Sequence, residues 1–152
     1  MSKPAGIVGF RMDRVTAAQR SRNMSRIRGR HTGPELAVRK TLHALGLRFR
    51  LHSSKLPGKP DIVLRKHRSI VLVHGCFWHQ HPDCPRAFRP ASNTDFWEAK
   101  LARNQLRDRT VANVLSLAGW RVLVVWECET KDSTALSARL RGWFPVDNDP
   151  AI

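Results

Sequence analysis

The amino-acid sequence predicts one α/β domain, a mixed β-sheet flanked by helices and stiffened by a structural metal site. Three observations carry this expectation. Apolar runs rich in β-branched residues at 62–64, 70–73 and 120–126 alternate with stretches of helical spacing. The 152-residue length suits a single hydrophobic core. Residues 75–93 hold Cys, His, Pro and aromatics without a hydrophobic period, as a loop organised by a metal would.

Taken in order, residues 1–13 mix Gly, Pro and isolated apolar residues and read as a disordered extension. Residues 16–30 are polar and Arg-rich, with Met24 and Ile27 three apart, which suits a short helix lying along an acidic partner. Thr32-Gly33-Pro34-Glu35 is a helix start: Thr32 can cap, Pro34 fits the first turn, and Glu35 stands at the closing position of a capping box. Val38, Leu42 and Leu45 then give one buried stripe that ends at Gly46. Residues 49–52 suit a strand.

Pro57-Gly58-Lys59-Pro60 turns the chain and delivers Asp61 to the start of the strand 62–64, and Lys66-His67-Arg68 turns it back. The continuous apolar run Ile70-Val71-Leu72-Val73 predicts a strand covered on both faces, so this hairpin is expected to be central. Thr94 is placed to cap a long helix reaching Leu117 and stopped by Gly119. Residues 120–126 predict another buried strand, and Asp132 or Ser133 caps a last helix to Trp143. The domain is expected to span 14–145, with 146–152 as a tail.

Charge narrows the partner. Lys and Arg number 27 against 12 Asp and Glu, a formal net charge of +15, which favours a polyanion such as nucleic acid. Residues 11–50 carry eleven of those cations against only Asp13 and Glu35. A solvated basic surface gives the same pattern, so the chemistry must come from elsewhere. With no apolar stretch near the ~20 residues that cross a bilayer and no apolar secretory core, the expectation is a cytoplasmic protein that avoids membranes.

Three cysteines cannot all pair with one another, which disfavours a disulfide framework. Cys76, His81 and Cys84 fall within nine residues, and Cys128 follows the strand 120–126. Three thiolates and one imidazole form a closed tetrahedral zinc site with no open position for catalysis, so the assignment is to folding. Buried free thiols with a surface His81 are the alternative, and His79 competes for the imidazole position.

Three stretches are more specific. Pro57-Gly58-Lys59-Pro60-Asp61 followed by Val73-His74-Gly75-Cys76-Phe77-Trp78-His79, and then Trp120-Arg121-Val122-Leu123-Val124-Val125-Trp126-Glu127-Cys128, resembles the very-short-patch (Vsr-type) DNA mismatch repair endonucleases over about residues 13 to 144. The resemblance implies a restriction-endonuclease-like fold. It also implies a Mg²⁺-dependent enzyme that nicks DNA 5′ of the thymine in a T:G mispair left by deamination of 5-methylcytosine.

By position, Asp61 resembles the metal-binding carboxylate, and the backbone carbonyl of Val73 completes the protein's share of the Mg²⁺ shell. His79 resembles the general base, a role suited to an imidazole. Asp108 resembles the acid that orients that base. His74 stands where most of the superfamily carries Lys, with Leu72 where they carry an acid. Glu35 resembles a further active-site acid, while its reading as a helix cap stays open.

Cys76, His81, Cys84 and Cys128 match the family's Zn²⁺ ligands, with the His-to-Cys spacing one residue longer because Pro82-Asp83 intervenes. Phe77, Trp78 and Trp97 match rings that the family inserts beside the mismatch, although core packing is the common fate of aromatics. Asn104 is expected to touch the DNA backbone or the mispair.

The resemblance thus points to a monomer acting on double-stranded DNA, alongside mismatch-repair proteins. A non-catalytic, zinc-stabilised DNA-binding module and a restriction-type endonuclease are the alternatives.

Overall fold

Helix α1 (Gly33–Ala44) begins where the Thr32 hydroxyl accepts the backbone N–H of Glu35 at 3.3 Å, with Pro34 in the first turn. The computed structural model describes residues 31–145, so the extension expected over 1–13, the helix expected over 16–30 and the tail 146–152 lie outside the described residues. The rest of the order is β1 (Arg50–Leu51), β2 (Ile62–Leu64), β3 (Ser69–His74), α2 (Thr94–Leu117), β4 (Arg121–Trp126) and α3 (Ser133–Trp143). The sheet runs β1-β2-β3-β4, with β2 antiparallel to both β1 and β3, and β3 parallel to β4. The architecture is therefore mixed α/β.

Alternation along the strands splits the core into two layers. Ile62, Leu64, Val71, Leu123 and Val125 pack against Val38 and Leu42 of α1 and Leu136 and Leu140 of α3. On the other face Val63, Ile70 and Leu72 meet Leu115 and Val111 of α2. Fully burying such a side chain contributes ~1.5–3 kcal/mol, so the hairpin β2–β3, covered on both faces, anchors the domain.

Helix α2 is packed at its two ends, through Trp97 and Leu101 at one and Leu115 at the other. Its middle, from Asn104 to Val111, spans a cleft.

Three local expectations change. The strand expected over 49–52 is only Arg50–Leu51, exposed because it forms the sheet edge. Thr94 is the first residue of α2 and not its cap; Asn93 holds that position in a left-handed conformation (φ 51°), without a side-chain capping bond. Strand β4 is not buried throughout: Leu123 and Val125 point into the core while its other residues keep partial or full exposure, as befits the opposite edge. Among the described residues no helix is long and apolar enough to cross a membrane.

Candidate active site and metal centre

Register gathers the chemistry at one end of the sheet. Strands β3 and β4 run in parallel and finish side by side at His74 and Trp126. Strand β2 runs the other way, so Asp61, just before it, lies at that same end. The turn before Asp61 is fixed by Gly58 (φ +73°), where a Cβ would come within 2.6 Å of Val111 on α2. This close approach brings α2 beside Asp61.

A cleft of about 470 Å³ results, lined among others by Asp61, Val73, His74, His79, Asn104 and Asp108. The backbone N–H of Val73 donates to Asp61 Oδ2 at 2.9 Å and sets the carboxylate's orientation. Burial raises the Asp61 pKa, helped by the negative charge of Glu35 and opposed by the Val73 N–H and by His52 and His79. His79 Nδ1 bonds to Asp108 Oδ2 at 2.6 Å, which leaves its Nε2 as the second functional nitrogen.

His74 stacks on His79, rings 4.0 Å apart and nearly parallel. Burial first, and His79 second, depress the His74 pKa to about 4, with Asp108 pulling the other way. His74 is therefore neutral near pH 7, able to offer a hydrogen bond but not the positive charge a lysine would bring.

Glu35 is buried, and its Oε1 accepts from Arg39 and from His52 Nε2, the latter at 2.6 Å. The carboxylate is thus not the return arm of a capping box; it faces Asp61 and His52 in a group of possible ligand atoms all within 4.8 Å of one another.

The second cluster lies behind the first. After β3 the chain winds tightly, with His79 N–H donating to Gly75 O at 3.1 Å and His81 N–H to Cys76 O at 3.0 Å. His79 and His81, two apart in this turn, face opposite ways, His79 toward Asp108 and His81 toward the cysteines. His81 Nδ1 lies 3.7 Å from Cys76 Sγ and 3.4 Å from Cys128 Sγ, and Cys84 completes a set whose ligand atoms all fall within 4.8 Å. Cys128 is held in place by its N–H on Cys76 Sγ at 3.4 Å, and by Glu129, which accepts the Trp126 N–H at 2.7 Å and pairs with Arg139.

These residues fit a tetrahedral ion. Zinc bonds of about 2.3 Å to sulfur and about 2.0–2.1 Å to nitrogen put sulfur and nitrogen about 3.6 Å apart, the separation found here. Burial pushes the Cys76 thiol up to about 12, so a thiolate there needs a cation among the sulfurs. Between His81 and Cys84 the chain turns at Asp83, which takes a positive φ of 56°.

Trp126 joins the two clusters. Its ring meets His74 edge-on at 5.3 Å and stacks on His81 at 4.2 Å.

Phe77, Trp78 and Trp97 form one aromatic group, with centroids 5.1 to 6.0 Å apart. Trp97 is buried at 4% exposure, while Phe77 and Trp78 are half-buried. Trp97 is thus the base on which the other two rings rest. Asn104 lines the cleft and donates to the Trp78 carbonyl at 3.0 Å, steadying the same turn.

Sequence reasoning missed several neighbours. His52, Lys59 and Arg107 also line the cleft, and Phe88 and Phe96 expose rings against Phe77 and Trp97. Position within two residues of Asp61 or Asp108 was a usable signal for Lys59 and Arg107. Nothing in the spacing tied His52 to Glu35, which requires knowing that β1 pairs with β2.

Known proteins share this chain's sequence. The profile of the family described as DNA mismatch endonuclease Vsr matches residues 12–86. The "Type II nicking enzyme V.XorIIP" of Xanthomonas oryzae pv. oryzae is 47% identical over 129 residues, covering 85% of this chain and 94% of its own. The "DNA mismatch endonuclease Vsr" of Escherichia coli is 42% identical over 132 residues, 84% of each chain. A "Type II nicking enzyme V.NmeAIP" of Neisseria meningitidis is 43% identical over 128 residues, covering 84% and 91%. Likeness at this level over nearly the whole domain sets aside a DNA-binding module without catalysis: the chain belongs to the Vsr family of DNA endonucleases, hydrolases that cleave DNA.

Proposed function

We propose that the chain nicks one strand of duplex DNA 5′ of the thymine in a T:G mispair produced by deamination of 5-methylcytosine, initiating very-short-patch repair. The observation that carries this reading is the 2.6 Å contact between His79 Nδ1 and Asp108 on the wall of a cleft that also holds Asp61. Asp108 accepts the Nδ1 hydrogen and selects the tautomer whose Nε2 bears a lone pair. Nε2 removes a proton from water as the water oxygen bonds to phosphorus and the P–O ester bond breaks.

Asp61 and the Val73 carbonyl would hold Mg²⁺, an ion that takes one or two protein oxygens and leaves its other positions to water and phosphate. Bound there, it would supply charge neutralisation at the scissile phosphate and a lower pKa for the attacking water. The raised Asp61 pKa supports this, because a half-buried acid beside the buried Glu35 favours a cation between them. Neutral His74 donates a hydrogen bond to the phosphate, and Glu35 serves as the further acid of the site. Lys59 and Arg107, at the cleft's rim, offer charge to the flanking phosphates.

Phe77 and Trp78 wedge beside the mispair with Trp97 as their support, at a step where unstacking is cheapest. Asn104 fixes that wedge. Zn²⁺ at Cys76, His81, Cys84 and Cys128 is structural, and the fold is of the restriction-endonuclease type over residues 14–145. Relatives named as nicking enzymes favour single-strand scission over restriction-type cleavage; the reading takes the enzyme as a cytoplasmic monomer that works alongside mismatch-repair proteins.

The test compares T:G, C:G and other mismatched duplexes with Mg²⁺, using the wild type and Asp61→Ala. Nicking confined to T:G, lost in the variant while DNA binding persists, supports the reading. Equal activity in the variant refutes the role of Asp61.

A further inference from the structure

Beyond Asp61 and Val73, the cleft holds an imidazole that this mechanism does not use. His52 follows β1, and its backbone N–H donates to the Asp61 carbonyl at 3.0 Å, which extends the β1–β2 ladder by one residue. A positive φ of 43° then turns the chain at His52, and its side chain reaches Glu35. One ligand atom each from Glu35, His52 and Asp61 lies within 4.8 Å of the others, drawn from α1, the end of β1 and the start of β2. All three residues are at least half-buried, and His52 and Asp61 line the cleft.

Mg²⁺ is a hard ion that prefers an all-oxygen shell, whereas imidazole suits first-row transition metals. We propose that His52 completes, with Glu35 and Asp61, a mixed nitrogen–oxygen cation site that binds Mn²⁺ in preference to Mg²⁺. The inference rests on the reading of Asp61 as the hydrolytic metal's ligand and extends it to metal selectivity. A cation there would take the place of the hydrogen between His52 Nε2 and Glu35 Oε1, with the imidazole ligating through Nε2 in the tautomer that carries its hydrogen on Nδ1. Arg39 stays on Glu35 and limits the negative charge, which again disfavours a purely electrostatic site for Mg²⁺.

The experiment uses the zinc-loaded full chain without DNA. Mn²⁺ binding is followed by electron paramagnetic resonance, with Mg²⁺ as competitor, and the bound ion is probed for histidine nitrogen by electron spin-echo modulation. The wild type is expected to bind one Mn²⁺ with a nitrogen signature and to resist Mg²⁺ competition. In His52→Gln, which can still donate to Glu35, the signature disappears and Mn²⁺ affinity falls about tenfold or more, with Mg²⁺ affinity little changed. Asp61→Asn loses both ions.

Bound Mn²⁺ without histidine nitrogen, measured on the wild type and so independent of any variant's folding, overturns the proposal, as does unchanged Mn²⁺ affinity in His52→Gln. Unchanged binding of both ions in Asp61→Asn instead defeats the underlying reading of Asp61.

Discussion

The two side-chain clusters at this end of the sheet share a loop but differ in what encloses them. Cys76, His81, Cys84 and Cys128 come from the turns after β3 and β4 and face one another, as a closed ligand set does. Asp61, His79 and Asp108 come from the start of β2, from that same turn and from α2, and they line an open cleft. The difference teaches that one tightly wound turn can serve two purposes, because His79 and His81 leave it in opposite directions. A closed set holds the turn; an open set leaves room for water and phosphate. Trp126, touching His74 on one side and His81 on the other, makes the first a support for the second.

The largest expected effect breaks the closed cluster. Structural zinc sites are worth about 10–16 kcal/mol of folding free energy in small domains, comparable to the ~5–15 kcal/mol that holds a whole domain together. Cys128→Ser is therefore expected to lose zinc and to unfold tens of degrees lower, or to fail to fold, as read by metal analysis and calorimetry. Loss of nicking with an unchanged unfolding midpoint would reverse the roles assigned to the two clusters.

Asp61→Ala should do the opposite. Nicking is expected to fall about a thousandfold or more, equivalent to about 4 kcal/mol of transition-state stabilisation, with little loss of duplex affinity. Stability without added Mg²⁺ should hold or rise near neutral pH. The sign follows from linkage: burial and the Glu35 charge raise the carboxyl's folded pKa above its unfolded value, so the folded state binds the extra proton and stability declines as pH rises through that window. Removing the group removes that decline, and thermal unfolding across pH reads it.

Most of the architecture was legible in the sequence, because continuous apolar runs such as Ile70-Val71-Leu72-Val73 leave few choices for a buried strand. Edges were less legible. Arg50 and Leu51 form a strand only because β2 offers a partner, and Asn93 starts α2 through a left-handed backbone, without the side-chain capping bond expected of Thr94. In the site, Asp61 and the Cys–His group stood out through motif and spacing. Of the partners of Glu35, Arg39 stood at the readable spacing of one helical turn, whereas His52 is brought in by strand pairing.

Asp108→Asn tests the open cluster more finely. The amide can still occupy the site but no longer fixes the tautomer or balances a proton taken up at His79, so single-turnover nicking should slow about 10²- to 10³-fold. Zinc content and duplex affinity should match the wild type. A variant within a few-fold of normal rate would mean that the 2.6 Å contact holds the fold and not the base.

The smallest expected effect probes how α2 is set against the Asp61 turn. At Gly58 a methyl group would meet Val111 Cγ1 at 2.6 Å and Cγ2 at 2.8 Å, and the backbone φ of +73° already disfavours any side chain. Val111 is β-branched and helical, so it has little rotameric freedom with which to yield. Gly58→Ala is expected to cost about 1–3 kcal/mol of stability, the range of an overpacked contact plus the left-handed backbone. Because the turn carries Asp61 while α2 carries Asp108, the shift should also slow nicking in the folded enzyme. A companion Val111→Ala should restore stability in part, since it removes the clash but not the strained φ. If the double variant regains rate as well as stability, the spacing between turn and helix sets catalysis; if it regains stability alone, the position of Asp61 depends on β2 and the Val73 N–H.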